Sequence, residues 1–176
     1  NGLLFTADPY SNIIDHDDKK TATLFGDGAT VTLLTEDPVF DFGKFVFGSD
    51  GSKKEGIIVK EDGLVHMNGR AVFAFTVRVI PNSIQMMLEK NLITLKNIDR
   101  FLLHQGSLHI VNTIADTLGV SREKCPFYSA DYGNTVSSSV PMILAQEFKN
   151  QEMKVAVLAG FGVGLSWAST LIFRKK

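Results

Sequence analysis

Between Lys154 and the closing Arg174-Lys175-Lys176 lies an uncharged run of nineteen residues, Val155–Phe173, and no other stretch limits the possible folds as tightly. It is long enough to span a bilayer as a helix, and it contains Gly160-x-x-x-Gly164, a spacing at which membrane helices pack closely. The glycines argue the other way. Gly160, Gly162 and Gly164 fall at alternate positions, where each costs a helix about 1 kcal/mol, and Ser166, Ser169 and Thr170 dilute the apolar content further. Periodicity alone does not separate a buried helix from buried strands in so apolar a run. Two buried strands around a glycine loop fit the spacing better than a membrane span.

Strands buried in this way need partners and covering helices, and the upstream sequence offers both. Ile98–Leu103 predicts a short strand that ends at His104. Leu108, Val111, Ile114, Ala115 and Leu118 mark one face of a following helix, stopped by Gly119 where a left-handed cap is favoured. From Gly69 the period is again helical, with Val72, Phe75 and Val79 on one face and the stripe resuming at Ile84, Met87 and Leu88. Pro81 has no amide hydrogen and crowds the preceding turn, so this helix is expected to kink or restart there. Ser137, Ser138 and Ser139 offer N-cap hydroxyls for a helix through Phe148. Gly2–Thr6, Thr21–Phe25, Ala29–Leu34, Phe40–Phe47 and Gly56–Lys60 have strand character, with a tight turn at Gly26-Asp27-Gly28 and a boundary at Glu36-Asp37-Pro38.

The 176 residues are enough for one ordinary core without a metal or disulfide staple. Eighteen basic and nineteen acidic residues, dispersed to a net charge of −1, leave no basic stripe for a phosphate backbone, so nucleic acid is not an expected partner. A single cysteine makes no internal disulfide, and no secretory signal opens the chain; a cytoplasmic location is the expectation. His16 among aspartates reads as a solvated charged loop rather than a metal site.

Three polar or glycine-rich segments sit at the edges of apolar runs: His104-Gln105-Gly106-Ser107, Tyr132-Gly133-Asn134-Thr135 with Ser139-Val140-Pro141, and Phe161-Gly162-Val163-Gly164-Leu165-Ser166-Trp167. In α/β folds such edges face a shared crevice. With Leu24-Phe25-Gly26-Asp27-Gly28-Ala29 and Met67-Asn68-Gly69-Arg70 upstream, these motifs resemble, in order, those of β-ketoacyl-acyl carrier protein synthase III, a thiolase-fold condensing enzyme. The resemblance covers nearly the whole chain. It implies a thiolase-like α/β fold, a mixed β-sheet packed with helices, of which this chain is the C-terminal half of a duplicated architecture. Residues 1–36 would then be a strand and hairpin left from the first half, and residues 37–176 the C-terminal domain.

The resemblance also implies a chemistry. An upstream cysteine, with no counterpart here, takes an acyl group from acyl-CoA. Malonyl-acyl carrier protein loses carbon dioxide, and the resulting carbanion attacks the acyl-cysteine in fatty acid biosynthesis. No cofactor or metal is implied; the thioesters of coenzyme A and acyl carrier protein are substrates, and the parent enzyme is expected to be a homodimer that does not enter a membrane. A histidine at a strand end is usually structural, and an asparagine after glycine often only bonds its own backbone. The family pattern instead implies that His104 and Asn134 donate hydrogen bonds to the thioester oxygen on which charge gathers. It implies oxyanion-facing backbone at Gly162 and Val163, and substrate contacts at Gly69, Ser107, His109 and Phe161.

Departures accompany the likeness. Ser107 stands where the family usually has asparagine, His109 where it has arginine, and Asp116 and Thr117 where it has lysines, so the basic surface that would dock an acidic carrier protein is weakened. Cys125 precedes Pro126, which disfavours the strand-to-helix elbow of an activated thiol. A non-catalytic partner subunit of the same fold is therefore the alternative to an enzyme.

Overall fold

A computed structural model describes residues 1–175. The chain opens with strand β1 (Gly2–Asp8) and, after the one-turn helix α1 (Lys19–Ala22), returns antiparallel as β2 (Gly28–Leu34). Short strands β3 (Phe40–Phe42) and β4 (Val46–Ser49) lead to the hairpin of β5 (Ile57–Val59) and β6 (Val65–Met67), which runs into helix α2 (Gly69–Lys90). Strand β7 (Arg100–Leu103), helices α3 (Leu108–Leu118) and α4 (Ser139–Glu147), and strands β8 (Val155–Gly162) and β9 (Ser166–Arg174) complete the order.

The apolar run is therefore a hairpin of two strands. β8 lies parallel to β7 on one side and antiparallel to β9 on the other, and β3 and β4 pair successively with the far edge of β9. Its unbroken apolar character comes from burial on both faces. Phe101, Leu103, Val157, Ala159 and Leu171 pack with Ile80, Ile84, Met87 and Leu88 of α2 and with Val111, Ile114 and Leu118 of α3. Their alternates Leu102, Ala156 and Ile172 turn to the opposite face and pack with Ile143 of α4 and with Met153. Period-two alternation in the strands thus builds a sheet between helical layers. Each aliphatic side chain fully buried there contributes about 1.5–3 kcal/mol.

Three local expectations need correction. The helix holding Pro81 does not restart there: α2 runs as one 22-residue element from an Asn68 cap whose Oδ1 accepts from the Ala71 N–H at 3.1 Å. The apolar stripe on both sides of the proline packs on the same sheet, which offsets the lost hydrogen bond. Among the described residues α2 alone is long and apolar enough to cross a membrane, and Phe75, Ile80, Ile84, Met87 and Leu88 bury it in the core instead. Second, Thr21–Phe25 is not a strand. Asp18 accepts from the Lys20 amide and from the Thr21 hydroxyl, both at 3.1 Å, and these local bonds turn the chain into α1. Third, the serines before α4 do not cap it. Ser138, at the N-cap, donates to the Gly28 carbonyl at 3.1 Å and lies 2.9 Å from the Thr6 hydroxyl; Ser137 bonds Asp8. Their hydroxyls fasten the β1–β2 hairpin to the start of α4.

Candidate active site

Strand β7 is buried along Phe101–Leu103 and carries His104 into the crevice, with the His104 N–H continuing the ladder to the Ala159 carbonyl at 2.8 Å. Gln105, 1% exposed, anchors the turn beyond the strand end. Its amide nitrogen donates to the Leu103 carbonyl at 2.9 Å and the Pro126 carbonyl at 3.3 Å, and its Oε1 accepts from the Tyr128 N–H at 2.9 Å. The strand end and the loop that carries Asn134 are thus tied through one buried side chain.

Asn134 is held by a clasp between two glycine motifs. The Gly26 N–H donates to the Asn134 carbonyl at 3.1 Å, and the Asn134 N–H donates to the Leu24 carbonyl at 2.8 Å. So close an approach needs glycine on both sides. A Cβ on Gly26 would lie 1.8 Å from the Tyr132 carbonyl oxygen, and Gly133 has φ +73° with its Cβ position 2.8 Å from the Leu24 oxygen. The Asn134 Oδ1 accepts from the Val136 N–H at 3.0 Å, which fixes the amide orientation because only the oxygen can meet a donor. The turn role and the donor role are therefore compatible: the carbonyl end serves the backbone and the –NH₂ end is left for the cavity.

His104 and Asn134 line one cavity of about 200 Å³ with Phe25, Val140, Gly160, Phe161, Gly162 and Val163. A smaller cavity of about 60 Å³, lined by Val72, Phe75, Ile110 and Leu165, shares His104, Asn134, Phe161 and Gly162 with it. The Phe161 ring stands edge-on to the imidazole, centroids 5.1 Å apart at 84°. In this apolar setting burial pulls the His104 pKa down to about 4, and a backbone hydrogen bond at Val136, which favours the charged ring, offsets only part of it. The imidazole is neutral at pH 7 and one ring nitrogen keeps a proton to donate. The Nδ1 atom lies 2.6 Å from the Ser139 hydroxyl.

The other sequence-predicted residues are spread around this centre. Gly69 borders a separate cavity of about 820 Å³ with Lys19, Lys20, Asn68 and Arg70. Ser107 borders a fourth, of about 530 Å³, and its hydroxyl caps α3 by accepting from the Ile110 N–H at 3.2 Å. His109 is exposed and stacks on Phe73 with centroids 4.7 Å apart at 3°, outside these four cavities. Sequence reasoning missed Phe25, Val136 and Val140 as cavity walls and Ser139 as a neighbour of the imidazole. Ser139 stands five residues after Asn134, inside a motif of the family resemblance and beside a predicted helix start, and neither signal placed it against the imidazole.

Cys125 takes no part in this site. It is buried, and burial pushes its thiol up to about 12. Native protein at pH 8 is expected to resist iodoacetamide at this position, with labelling seen by mass spectrometry only after unfolding; rapid labelling of the native chain would contradict the burial.

A mixed sheet between helices, with a histidine at a strand end and an asparagine in the α3–α4 connection sharing one cavity with a glycine turn, defines a thiolase-like α/β fold. The family model for 3-oxoacyl-[acyl-carrier-protein (ACP)] synthase III matches residues 1–51, and that for the C terminal of the same synthase matches residues 88–173. The chain belongs to the β-ketoacyl-acyl carrier protein synthase III family. Relatives include the synthase III of Streptococcus mutans, 36% identical over 190 residues covering 97% of this chain, and that of Staphylococcus aureus strain Newman, 37% identical over 179 residues covering 98%. The chain spans only 58% and 56% of their lengths. Among solved structures, the Pseudomonas aeruginosa synthase III superposes with a TM-score of 0.89 at 30% identity, over 99% of this chain and 58% of that one. The Aquifex aeolicus synthase III gives 0.88 at 29%, over 97% and 57%.

Proposed function

We propose that this chain supplies the decarboxylating side of a β-ketoacyl-acyl carrier protein synthase III, an acyltransferase of fatty acid biosynthesis that condenses acyl-CoA with malonyl-acyl carrier protein. The observation that carries the reading is the pair of donors on one apolar cavity: the imidazole of His104, held neutral, and the amide of Asn134, oriented by Val136. When the malonyl carboxylate leaves as carbon dioxide, the electron pair of the broken C–C bond passes into the thioester and negative charge gathers on its oxygen. His104 and Asn134 stabilise that oxygen. The carbanion then attacks the carbonyl of an acyl group on a cysteine elsewhere in the full-length protein, and the tetrahedral intermediate expels the cysteine thiolate. Backbone N–H groups at Gly162 and Val163 face the oxyanion of that intermediate in this reading, and no metal is called for. Gly69, Ser107, His109 and Phe161 contact the substrate arm, and the division near residue 36 separates the two halves of the parent fold.

Preorganised donors in a site closed to water are worth most where charge develops. A neutral histidine suits this step, since it needs a proton to share and none to give up. Malonyl-thioester decarboxylation is therefore expected to be flat from about pH 6 to 8 with respect to His104 and to change only as pH falls toward 4. A rate that titrates near pH 6.5 and tracks His104 would contradict this. The same shift affects stability. The folded-state value lies below the ordinary 6.5, so the unfolded chain binds the proton more readily, and the contribution is fully present above pH 6.5 and lost as pH falls through about 4. At about 1.4 kcal/mol per pKa unit it amounts to at most about 3–4 kcal/mol, an upper figure because the ring opens on the cavity. Urea titrations of wild-type and His104→Gln protein across that window check the sign.

One observation favours a non-catalytic partner subunit. Asp116 on α3 is gripped by Arg122 through two bonds of 2.9 and 2.6 Å, so this face of the helix offers a closed ion pair to an acidic carrier. Adding the cysteine-bearing portion of the enzyme and assaying malonyl-carrier-protein decarboxylation with wild-type and His104→Ala chains separates the readings; equal rates would favour the partner subunit. Dimerisation of the full-length protein belongs to the same proposal. The exposed side chains of Leu3, Phe5, Val31 and Leu33 on the β1–β2 hairpin form the apolar surface that a second subunit or the rest of the enzyme would cover.

A further inference from the structure

We infer that Ser139 is a positioning residue that fixes the tautomer of His104, holding the ring proton on Nε2 so that it is available to the substrate oxygen. Ser139 is the first residue of α4 and 1% exposed, and its Oγ lies 2.6 Å from His104 Nδ1. The same oxygen receives the Gln105 N–H at 3.4 Å. That donor occupies one side of the hydroxyl and leaves the O–H to point elsewhere. His104 Nδ1 is the one acceptor within hydrogen-bond distance of it among the described residues.

The alternatives then differ in what they leave unmade. With Nδ1 bare, the Ser139 O–H donates to it, every group in the chain from Gln105 to the imidazole is paired, and Nε2 bears the hydrogen. With Nδ1 protonated, the ring donates to Ser139 and the buried serine hydrogen loses its partner, an arrangement strongly disfavoured in a dry interior. The burial that keeps the imidazole neutral also lets Nδ1 act as an acceptor. The hydroxyl therefore works on the reaction through His104 alone. Its position in the helix is part of the device: at the first residue of α4 the side chain is rigidly carried, while the capping position is left to Ser138, whose hydroxyl is engaged with the hairpin.

The tautomer itself is a property of the chain alone; its effect on rate rests on the function proposed above. The test uses protein with ¹⁵N-labelled histidine and long-range ¹H–¹⁵N spectra of the His104 ring at pH 7. Wild-type protein is expected to show Nδ1 unprotonated and Nε2 protonated. Ser139→Ala should shift the ring toward a mixture of tautomers, and Ser139→Thr, which keeps the hydroxyl, should restore the single form. Decarboxylation of malonyl-carrier-protein, measured with the cysteine-bearing portion present, should lose about tenfold in kcat with little change in KM for the alanine variant and recover with threonine. A protonated Nδ1 in wild type, or a tautomer unchanged in folded Ser139→Ala, overturns the inference. A tautomer that shifts while kcat stays constant leaves Ser139 as the determinant of the tautomer and overturns the catalytic reading of His104 instead.

Discussion

Replacing His104 by alanine is expected to slow malonyl-thioester decarboxylation by a hundredfold or more, because removing one preorganised donor from a developing oxyanion costs about 3 kcal/mol. The loss should fall on kcat, since the contact strengthens only as charge moves onto the oxygen. Asn134→Ala should cost a similar factor. The double variant should lose less than the product of the two, because both donors serve one atom and act as a unit. Single-turnover release of carbon dioxide measures this directly, and variants that keep wild-type rates would remove both residues from the mechanism. The folded state needs its own check in each case, since His104 contacts Phe161 and Ser139.

The second large effect concerns a residue with no side chain. Gly26→Ala would force a methyl group to within 1.8 Å of the Tyr132 carbonyl oxygen, and that oxygen belongs to rigid backbone. Relieving the overlap means pulling the Leu24–Gly26 segment off the Asn134 loop and breaking the two backbone bonds of 3.1 and 2.8 Å that hold it. A destabilisation of about 3 kcal/mol is expected, at the upper end of what overpacking usually costs. It should show as a lower urea midpoint with little change in slope. Donor geometry at Asn134 should suffer as well, so residual activity would fall further than the folded fraction does. A Gly28→Ala variant makes a useful contrast, because its Cβ meets side-chain carbons of Thr135 and Ser138 at 2.8–3.3 Å rather than a carbonyl. It should cost less.

Both predictions concern places where two distant motifs meet, and there the sequence carried only part of the information. His104, Asn134, Phe161, Gly162 and Val163 were singled out from strand-edge position and family pattern, and they line one cavity. Phe25 lies on the same wall because the Leu24–Gly26 segment pairs with the Asn134 loop, an encounter more than a hundred residues apart that no local pattern encodes. Thr21 shows a propensity losing to a cap: its β-branched side chain favours a strand, yet its hydroxyl is taken by Asp18. Pro81 shows the reverse, a local breaker overruled by the packing of α2 on the sheet.

What the chain's own order of residues determined was the sheet and its covering helices. Apolar runs, period changes and glycine spacing specify which segments are strands and which face is buried, since these depend on side-chain size and alternation alone. Only the tertiary structure decided how the polar groups pair. Three consecutive serines look equivalent in the sequence, yet one bonds Asp8, one bonds the Thr6 and Gly28 region, and one meets the imidazole of His104. The reason is physical: a hydroxyl is satisfied by whichever partner the packed elements bring within about 3 Å, and that proximity arises from the folded layers rather than from any neighbour in the chain.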